Sequence, residues 1–210
     1  MIVRGERFGL YLVLTDPVAG YERCAEAAVA CGVRYLQLRM KDAAPAEVRA
    51  VGRRLRGITH ATATRFLVND DVDLARELDA DGVHLGQGDL PLAEARRRWP
   101  APGKRFGLST HSVAQARAAE ALAPDYIGVG PVFATPTKKI PDPVLGVETM
   151  GAIVRSSPLT TVAIGAIDSG NLQQVLSHGA VNFAVVRAVN RAADPAAAIR
   201  ALQDAYHRLT

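Results

Sequence analysis

Two carboxylates and two cations gather in the first half of the chain, each behind a short apolar run. "QLRMK" carries Gln37, Arg39 and Lys41, "LVNDD" carries Asn69 and Asp70, and "VHLGQGDL" carries Asp89 after Gly86 and Gly88. Carboxylates beside cations suit an octahedral Mg2+ that keeps substrate phosphate oxygens among its ligands. Arg39 and Lys41 suit the phosphate itself, because ionised donors make the stronger hydrogen bonds to anions. Either carboxylate alone could be a helix N-cap. Asp71 is expected to take that role for the next helix, which frees Asp70.

The second half offers a different set. "GLSTHS" supplies the hydroxyls of Ser109 and Thr110, and His111, whose imidazole could exchange a proton near neutral pH but is expected to be a helix-capping spectator. Thr135, Thr137 and Lys138 combine two hydroxyls with a cation, as a phosphoryl group requires. They open the longest expected loop, Thr135 to Leu145, whose three prolines, two lysines and sparse apolar content predict a lid that is mobile without ligand. "AIGAID" with Gly165 and Ala166, and "AVVRAV" with Val186 and Arg187, would offer backbone N–H groups and a guanidinium to a second anion.

The elements that must hold these residues alternate. Apolar runs at Gly9–Thr15, Tyr35–Lys41, Phe66–Asn69, Gly82–Leu85, Arg105–Ser109, Tyr126–Val132, Thr161–Ile164 and Phe183–Val186 predict eight strands. Helical spacing between them covers Tyr21–Ala30, Pro45–Ile58, Val72–Leu78, Leu92–Trp99, Val113–Leu122, Val147–Val154, Leu172–Ser177 and Pro195–Leu209. Eight alternations with short connections predict a single (β/α)8 TIM barrel, whose functional groups lie at the C-terminal ends of its strands. A doubly wound open sheet is the rival, but "LTDPVAG" after the first run lacks its glycine-rich phosphate turn. On strand two, alternation puts Gln37, Arg39 and Lys41 on the inward face and Leu36, Leu38 and Met40 on the other.

Composition narrows the function. With 49% hydrophobic and 22% charged residues, residues 1–210 are expected to form one domain with a sizeable core. Twenty-five Lys and Arg against 21 Asp and Glu leave +4, too little and too dispersed for nucleic acid but suited to small anions. No apolar run reaches the ~20 residues that span a bilayer, so a cytoplasmic protein without membrane contact is expected. Cys24 and Cys31 fall about 10 Å apart along one predicted helix, too far for a disulfide, and read as thiols.

Taken in order, "QLRMKD", "VND", "DGVHLGQGDLP", "GLSTH", "YIGVGPVFATPTKK" and "AIGAI" closely resemble the motifs of the thiamine phosphate synthase family across nearly the whole chain. The resemblance implies a barrel enzyme that joins 4-amino-2-methyl-5-hydroxymethylpyrimidine diphosphate to 4-methyl-5-hydroxyethylthiazole phosphate and releases pyrophosphate. It puts the pyrimidine diphosphate on Gln37, Arg39, Lys41, Asn69, Ser109 and Lys138, Mg2+ on Asp70 and Asp89, and the thiazole phosphate on Thr135 and Thr137. Arg39, Lys41 and Lys138 would neutralise the leaving diphosphate. Gly165, Ala166, Val186 and Arg187 would line the thiazole-phosphate side, where the chain departs from "IGGI" and "VVSA". An Ala there preserves the N–H donors if its φ is negative. The partners implied are small phosphorylated substrates; a homodimer is compatible. A thiazole tautomerase using His111, or a non-catalytic phosphate-ligand sensor, are the rival functions.

Overall fold

The computed structural model describes residues 5–135 and 142–209. Eight parallel strands close into a barrel in sequence order: β1 (Gly9–Leu14), β2 (Tyr35–Leu38), β3 (Arg65–Asn69), β4 (Gly82–Leu85), β5 (Arg105–Thr110), β6 (Tyr126–Val129), β7 (Thr161–Ile164) and β8 (Asn182–Val185). The outer helices are α1 (Tyr21–Ala30), α2 (Pro45–Thr59), α3 (Val72–Glu77), α4 (Leu92–Arg98), α5 (Val113–Leu122), α6 (Gly146–Ser156), α7 (Leu172–Ser177) and α9 (Pro195–Leu209). A short α8 (Arg187–Asn190) lies between β8 and α9, so the described residues hold one helix more than the eight predicted.

Alternation along the strands builds two separate apolar layers. Leu10, Leu12, Leu36, Leu38, Phe66, Val83 and Ile127 point outward and pack with helix residues such as Leu55, Leu172 and Ile199. Burying a leucine of this kind contributes about 1.5–3 kcal/mol. Tyr11, Val13, Tyr35, Leu67, Tyr126, Val162 and Ala184 point inward and fill the lumen. The lumen is therefore rich in tyrosine and partly polar, whereas the outer layer is mainly aliphatic.

β1 and β8 end one residue before their apolar runs, and two strands end three residues before theirs. β2 stops at Leu38, not Lys41: beyond it the Arg39 N–H still reaches the Leu14 carbonyl at 2.9 Å, but the chain then turns towards α2. β6 stops at Val129, not Val132, because Gly130 leads into Pro131, which has no N–H for a ladder. Hydrophobicity continues past both ends; the regular ladder does not. Asp71 caps α3 through its side chain, accepting from the Leu74 N–H at 2.8 Å, as expected.

Candidate functional site at the carboxyl ends of the strands

A cavity of about 390 Å3 opens at the C-terminal mouth of the barrel. Gln37, Arg39, Asn69, Ser109, Thr135, Gly165, Ala166, Val186 and Arg187, all singled out from the sequence, line it. Tyr11, His84, Tyr126 and Arg191 line it too. Sequence reasoning passed over these four. The strand alternation that places Tyr11 opposite Leu10 and Leu12, and His84 opposite Val83 and Leu85, carried the signal for three of them. Thr137 and Lys138, with most of the expected lid, lie outside the described residues.

Gln37 is the buried end of the β2 group, 4% exposed, and its amide donates to the Tyr11 hydroxyl at 2.7 Å. Arg39 and Lys41 are not strand residues, which corrects the expected three-residue inward face. Arg39 is half-buried in the cavity wall, and that burial pulls its guanidinium below the usual arginine range against the opposing fields of Asp70 and Asp42. Lys41 stands at the rim, its side chain 52% exposed, with Nζ 3.0 Å from Asp70 Oδ2.

Asp70 reaches that rim through an unusual backbone. β3 ends at Asn69, and Asp70 then adopts φ 65°, a left-handed conformation that costs a residue with a Cβ on the order of 1–2 kcal/mol. The turn is held by the Asp70 N–H on the His84 carbonyl and the Asp71 N–H on the Asn69 carbonyl, both at 2.8 Å. It lets Asp71 start α3 while Asp70 swings out. Strain of this sort persists where the surroundings over-determine it, commonly at functional sites.

The Asp70 and Asp89 carboxyls hydrogen-bond to each other. Burial and the facing Asp89 raise the Asp70 carboxyl above the usual carboxylate range, against the pull of Lys41. Burial also acts upward on Asp89, but the Asp70 hydrogen bond, the Gly86 N–H and Lys41 outweigh it and hold Asp89 low. The Gly86 N–H donates to Asp89 Oδ2 at 2.6 Å, and a Cβ on Gly86 would stand 2.9 Å from that oxygen. That is one use of a glycine-bearing turn after β4. Two carboxyls held face to face are a donor set that suits a divalent cation. No group of three or more His, Cys, Asp or Glu that could hold a metal exists among the described residues. An ion held by these two carboxylates would draw its remaining ligands from water and phosphate, as Mg2+ does.

On the other side of the mouth, His111 is not a helix cap. Ser112 takes that position on α5, accepting from the Gln115 N–H at 3.1 Å. His111 instead lines the cavity, with Nδ1 2.6 Å from the Gly130 carbonyl oxygen and Nε2 3.6 Å from Asp142 Oδ2. Gly165 has φ 119°, and a Cβ there would meet the Pro131 Cα at 2.6 Å. Its close approach is thus to the backbone after β6, where the Phe133 N–H donates to the Gly165 carbonyl at 3.2 Å. Ala166 does not meet the condition of negative φ: it sits at φ 48°. Val186 caps α8 with its carbonyl, receiving the Asn190 N–H at 2.9 Å and the Asn190 side-chain amide at 2.7 Å. Arg187 and Arg191, four apart across α8, both line the cavity.

These features define a (β/α)8 barrel with a ligand cavity at its carboxyl mouth, cations and paired carboxylates on one rim and backbone loops with arginines on the other. The family model described as "Thiamine monophosphate synthase" matches residues 10–189. A thiamine-phosphate synthase of Gloeobacter violaceus is 47% identical over 186 residues, covering 89% of this chain and 54% of that protein. One from Archaeoglobus fulgidus is 40% identical over 197 residues, covering 93% of this chain and 92% of its own. The chain thus spans about half of the first relative and nearly all of the second. The solved thiamine phosphate pyrophosphorylase of Pyrococcus furiosus superposes with a TM-score of 0.85 at 33% identity, covering 96% of each chain. The chain belongs to the thiamine monophosphate synthase family.

Proposed function

We propose that the chain is a transferase that condenses 4-amino-2-methyl-5-hydroxymethylpyrimidine diphosphate with 4-methyl-5-hydroxyethylthiazole phosphate to give thiamine phosphate and pyrophosphate. Family membership and the activities for which its relatives are named support the reaction. The observation that carries it is the convergence of Gln37, Arg39, Asn69 and Ser109 on one cavity, with Asp70, which clusters with Lys41 and Asp89, following directly on Asn69 although none of the three lines the cavity.

In the proposed reaction the bond between the pyrimidine methylene carbon and the diphosphate oxygen breaks, and both electrons leave with the diphosphate. Arg39 and Lys41, joined by Lys138, take up the developing negative charge. The electron-rich aminopyrimidine stabilises the methylene cation, and the lone pair of the thiazole nitrogen forms the new C–N bond. No protein nucleophile takes part. Bound at Asp70 and Asp89, Mg2+ would supply further neutralisation of the diphosphate. Val13, Val162, Ile164 and Ala184 give the cavity an apolar floor that keeps water from the cation. Holding two substrates in a reactive pose contributes about 7–11 kcal/mol to such a step. Thr135, Thr137, Arg187 and the backbone around Gly165 and Ala166 would hold the thiazole phosphate.

The test is direct. Purified protein given both substrates and Mg2+ should form thiamine phosphate and pyrophosphate in equal amounts, and folded protein that forms neither would end the proposal. A second reading, thiazole tautomerisation, draws on the presence of His111 in the cavity wall. It requires a proton transfer that needs neither Mg2+ nor diphosphate, so turnover of the thiazole alone, lost in His111→Ala, would favour it.

A further inference from the structure

Five polar side chains inside the barrel are joined end to end. The Gln37 Nε2 donates to the Tyr11 hydroxyl at 2.7 Å, and the Tyr11 and Tyr126 hydroxyls lie 2.9 Å apart. The Tyr126 hydroxyl is 3.0 Å from His84 Nδ1, and His84 Nε2 is 2.8 Å from Ser109 Oγ. The chain crosses the lumen from β2 to β5 through β1, β6 and β4, and both of its ends line the cavity.

Glycines make the space for it. A Cβ on Gly107 would stand 2.1 Å from the Tyr126 Cζ, so only glycine at that β5 position admits the phenol ring. His84 stacks on Tyr126 with ring centroids 5.5 Å apart and planes 22° apart, and lies over Gly128, where a Cβ would come within 3.5 Å of its Cε1. Burial pushes both the Tyr11 and Tyr126 phenols well above their ordinary range, so each keeps one hydrogen to donate.

One direction leaves every phenol hydrogen in the network with an acceptor. Tyr11 accepts from Gln37, and in this direction its own hydrogen goes to the Tyr126 oxygen 2.9 Å away. Tyr126 has accepted from Tyr11 and donates to His84 Nδ1, which makes that nitrogen the acceptor and places the imidazole proton on Nε2. Nε2–H donates to Ser109 Oγ, and the Ser109 hydrogen is left for the cavity. At the other end the Gln37 amide, anchored through its nitrogen, can turn its carbonyl oxygen to the ligand.

Building on the function proposed above, we infer that Tyr11, Tyr126 and His84 are positioning residues that hold Gln37 as an acceptor and Ser109 as a donor for the aminopyrimidine half of the substrate. An aminopyrimidine carries the matching pair, an exocyclic N–H donor and ring nitrogen acceptors. A 4-oxo analogue inverts it, with a carbonyl acceptor and a ring N–H. The network selects the amino form by leaving a mispaired polar group against the oxo form, a penalty that direct hydrogen-bonding sites impose strongly.

Two measurements decide the matter. In 15N-labelled protein at a pH where imidazoles are neutral, His84, assigned among the five histidines by its loss in His84→Gln, should show the Nε2–H tautomer. Tyr126→Phe should shift it towards a mixture, since Nδ1 loses its donor. This needs no substrate, so it tests the network even if the condensation assay fails. In the condensation assay Tyr126→Phe should raise the KM for the pyrimidine diphosphate about five- to tenfold, the scale of one neutral hydrogen bond, with the KM for the thiazole phosphate within twofold of wild type. Tyr11→Phe breaks the preceding link, should raise the same KM, and serves where Tyr126→Phe does not fold. Tyr35→Phe is the control: its hydroxyl donates to Glu6 Oε2 at 2.9 Å, outside the network, although its ring lies 5.5 Å from Tyr11 and 6.1 Å from Tyr126. An Nδ1–H tautomer in the wild type, a tautomer unchanged by Tyr126→Phe, or an equal KM rise in Tyr35→Phe would overturn the inference.

Discussion

The rim over β2 to β4 and the rim over β6 to β8 face each other across one cavity, yet they are made from different materials. The first is assembled from side chains: Lys41 on Asp70 at 3.0 Å, Asp70 on Asp89, Asp89 on the Gly86 N–H. The second is assembled from backbone: the Val132 and Phe133 N–H groups on the Ile164 and Gly165 carbonyls, Gly165 at φ 119° and Ala166 at φ 48°, with arginines on the short α8 beside them. A rim of paired charges is set by residue identity and fails when any one member is removed. A backbone rim is set by conformation and tolerates side-chain change unless the change bears on φ or on a close approach.

The sharpest way to break this contrast is to remove a carboxylate. Asp89→Ala and Asp70→Ala should each lower kcat/KM by 100-fold or more, about 2.7 kcal/mol of barrier, while circular dichroism and Tm show a folded barrel. Asp89→Ala frees the Gly86 N–H to water at the rim, so its stability cost should stay near 1 kcal/mol. Near-wild-type turnover at limiting Mg2+ in either variant would show that the pair is structural.

The same contrast explains what could be read from the sequence. β4, β7, α1, α5, α7 and α9 have the boundaries that their periodicity predicts, because a fully buried parallel strand and an amphipathic helix both write their burial into residue spacing. The side-chain rim was legible for the same reason: Gln37 lies within, Asn69 ends and Asp89 follows strands whose register was plain. Arg39 and Lys41 were found as residues but misplaced as strand positions, since alternation continues in the letters after the ladder has ended. The backbone rim was legible in its residues, Gly165, Ala166, Val186 and Arg187, but not in its conformation. Nothing in the letter at position 166 reveals φ 48°, and the partner that demands Gly165 is Pro131, 34 positions earlier in the chain. His111 was misread because Ser112, the next residue, is also a good cap, and only the structure shows which one α5 uses.

A second break goes to the backbone rim. Gly165→Ala would set a Cβ 2.6 Å from the Pro131 Cα at a φ that L residues rarely adopt. Strain of this kind costs on the order of 1–3 kcal/mol, so Tm should fall by roughly 5 °C. A carboxylate-rim variant should not show this pattern, in which stability falls first and activity follows it. Unchanged Tm would mean that the loops after β6 and β7 separate easily and that their contact is not what shapes this rim.

Arg187→Ser sharpens the comparison with a smaller effect, because here a side chain has been added to a backbone rim. If the guanidinium holds the thiazole phosphate, its loss should raise the KM for that substrate by up to about tenfold, offset in part by the new hydroxyl, and leave the KM for the pyrimidine diphosphate within twofold. An effect confined to the pyrimidine diphosphate would place Arg187 on the wrong side of the cavity. Isothermal titration with thiazole phosphate alone provides the same split without turnover.

The smallest effect is expected at Ala166, where conformation and chemistry separate most cleanly. Its left-handed backbone is imposed by its surroundings: the Asn171 side-chain amide donates to the Ala166 carbonyl at 2.9 Å, while Asn171 Oδ1 accepts the Asp168 N–H at 3.0 Å, so the turn is clamped from both sides. An alanine held there costs about 1–2 kcal/mol that a glycine does not, and glycine gives back about 0.5–1 kcal/mol through its greater freedom in the unfolded chain. Ala166→Gly should therefore stabilise the protein by roughly 0.5–1 kcal/mol, a Tm rise of about 2 °C. The N–H of residue 166 is kept in either case, and the clamp through Asn171 is untouched, so the KM for thiazole phosphate should move less than twofold. A lower Tm on introducing glycine would show that the Ala166 methyl packs usefully at the mouth, and that this rim depends on side chains more than its backbone geometry implies.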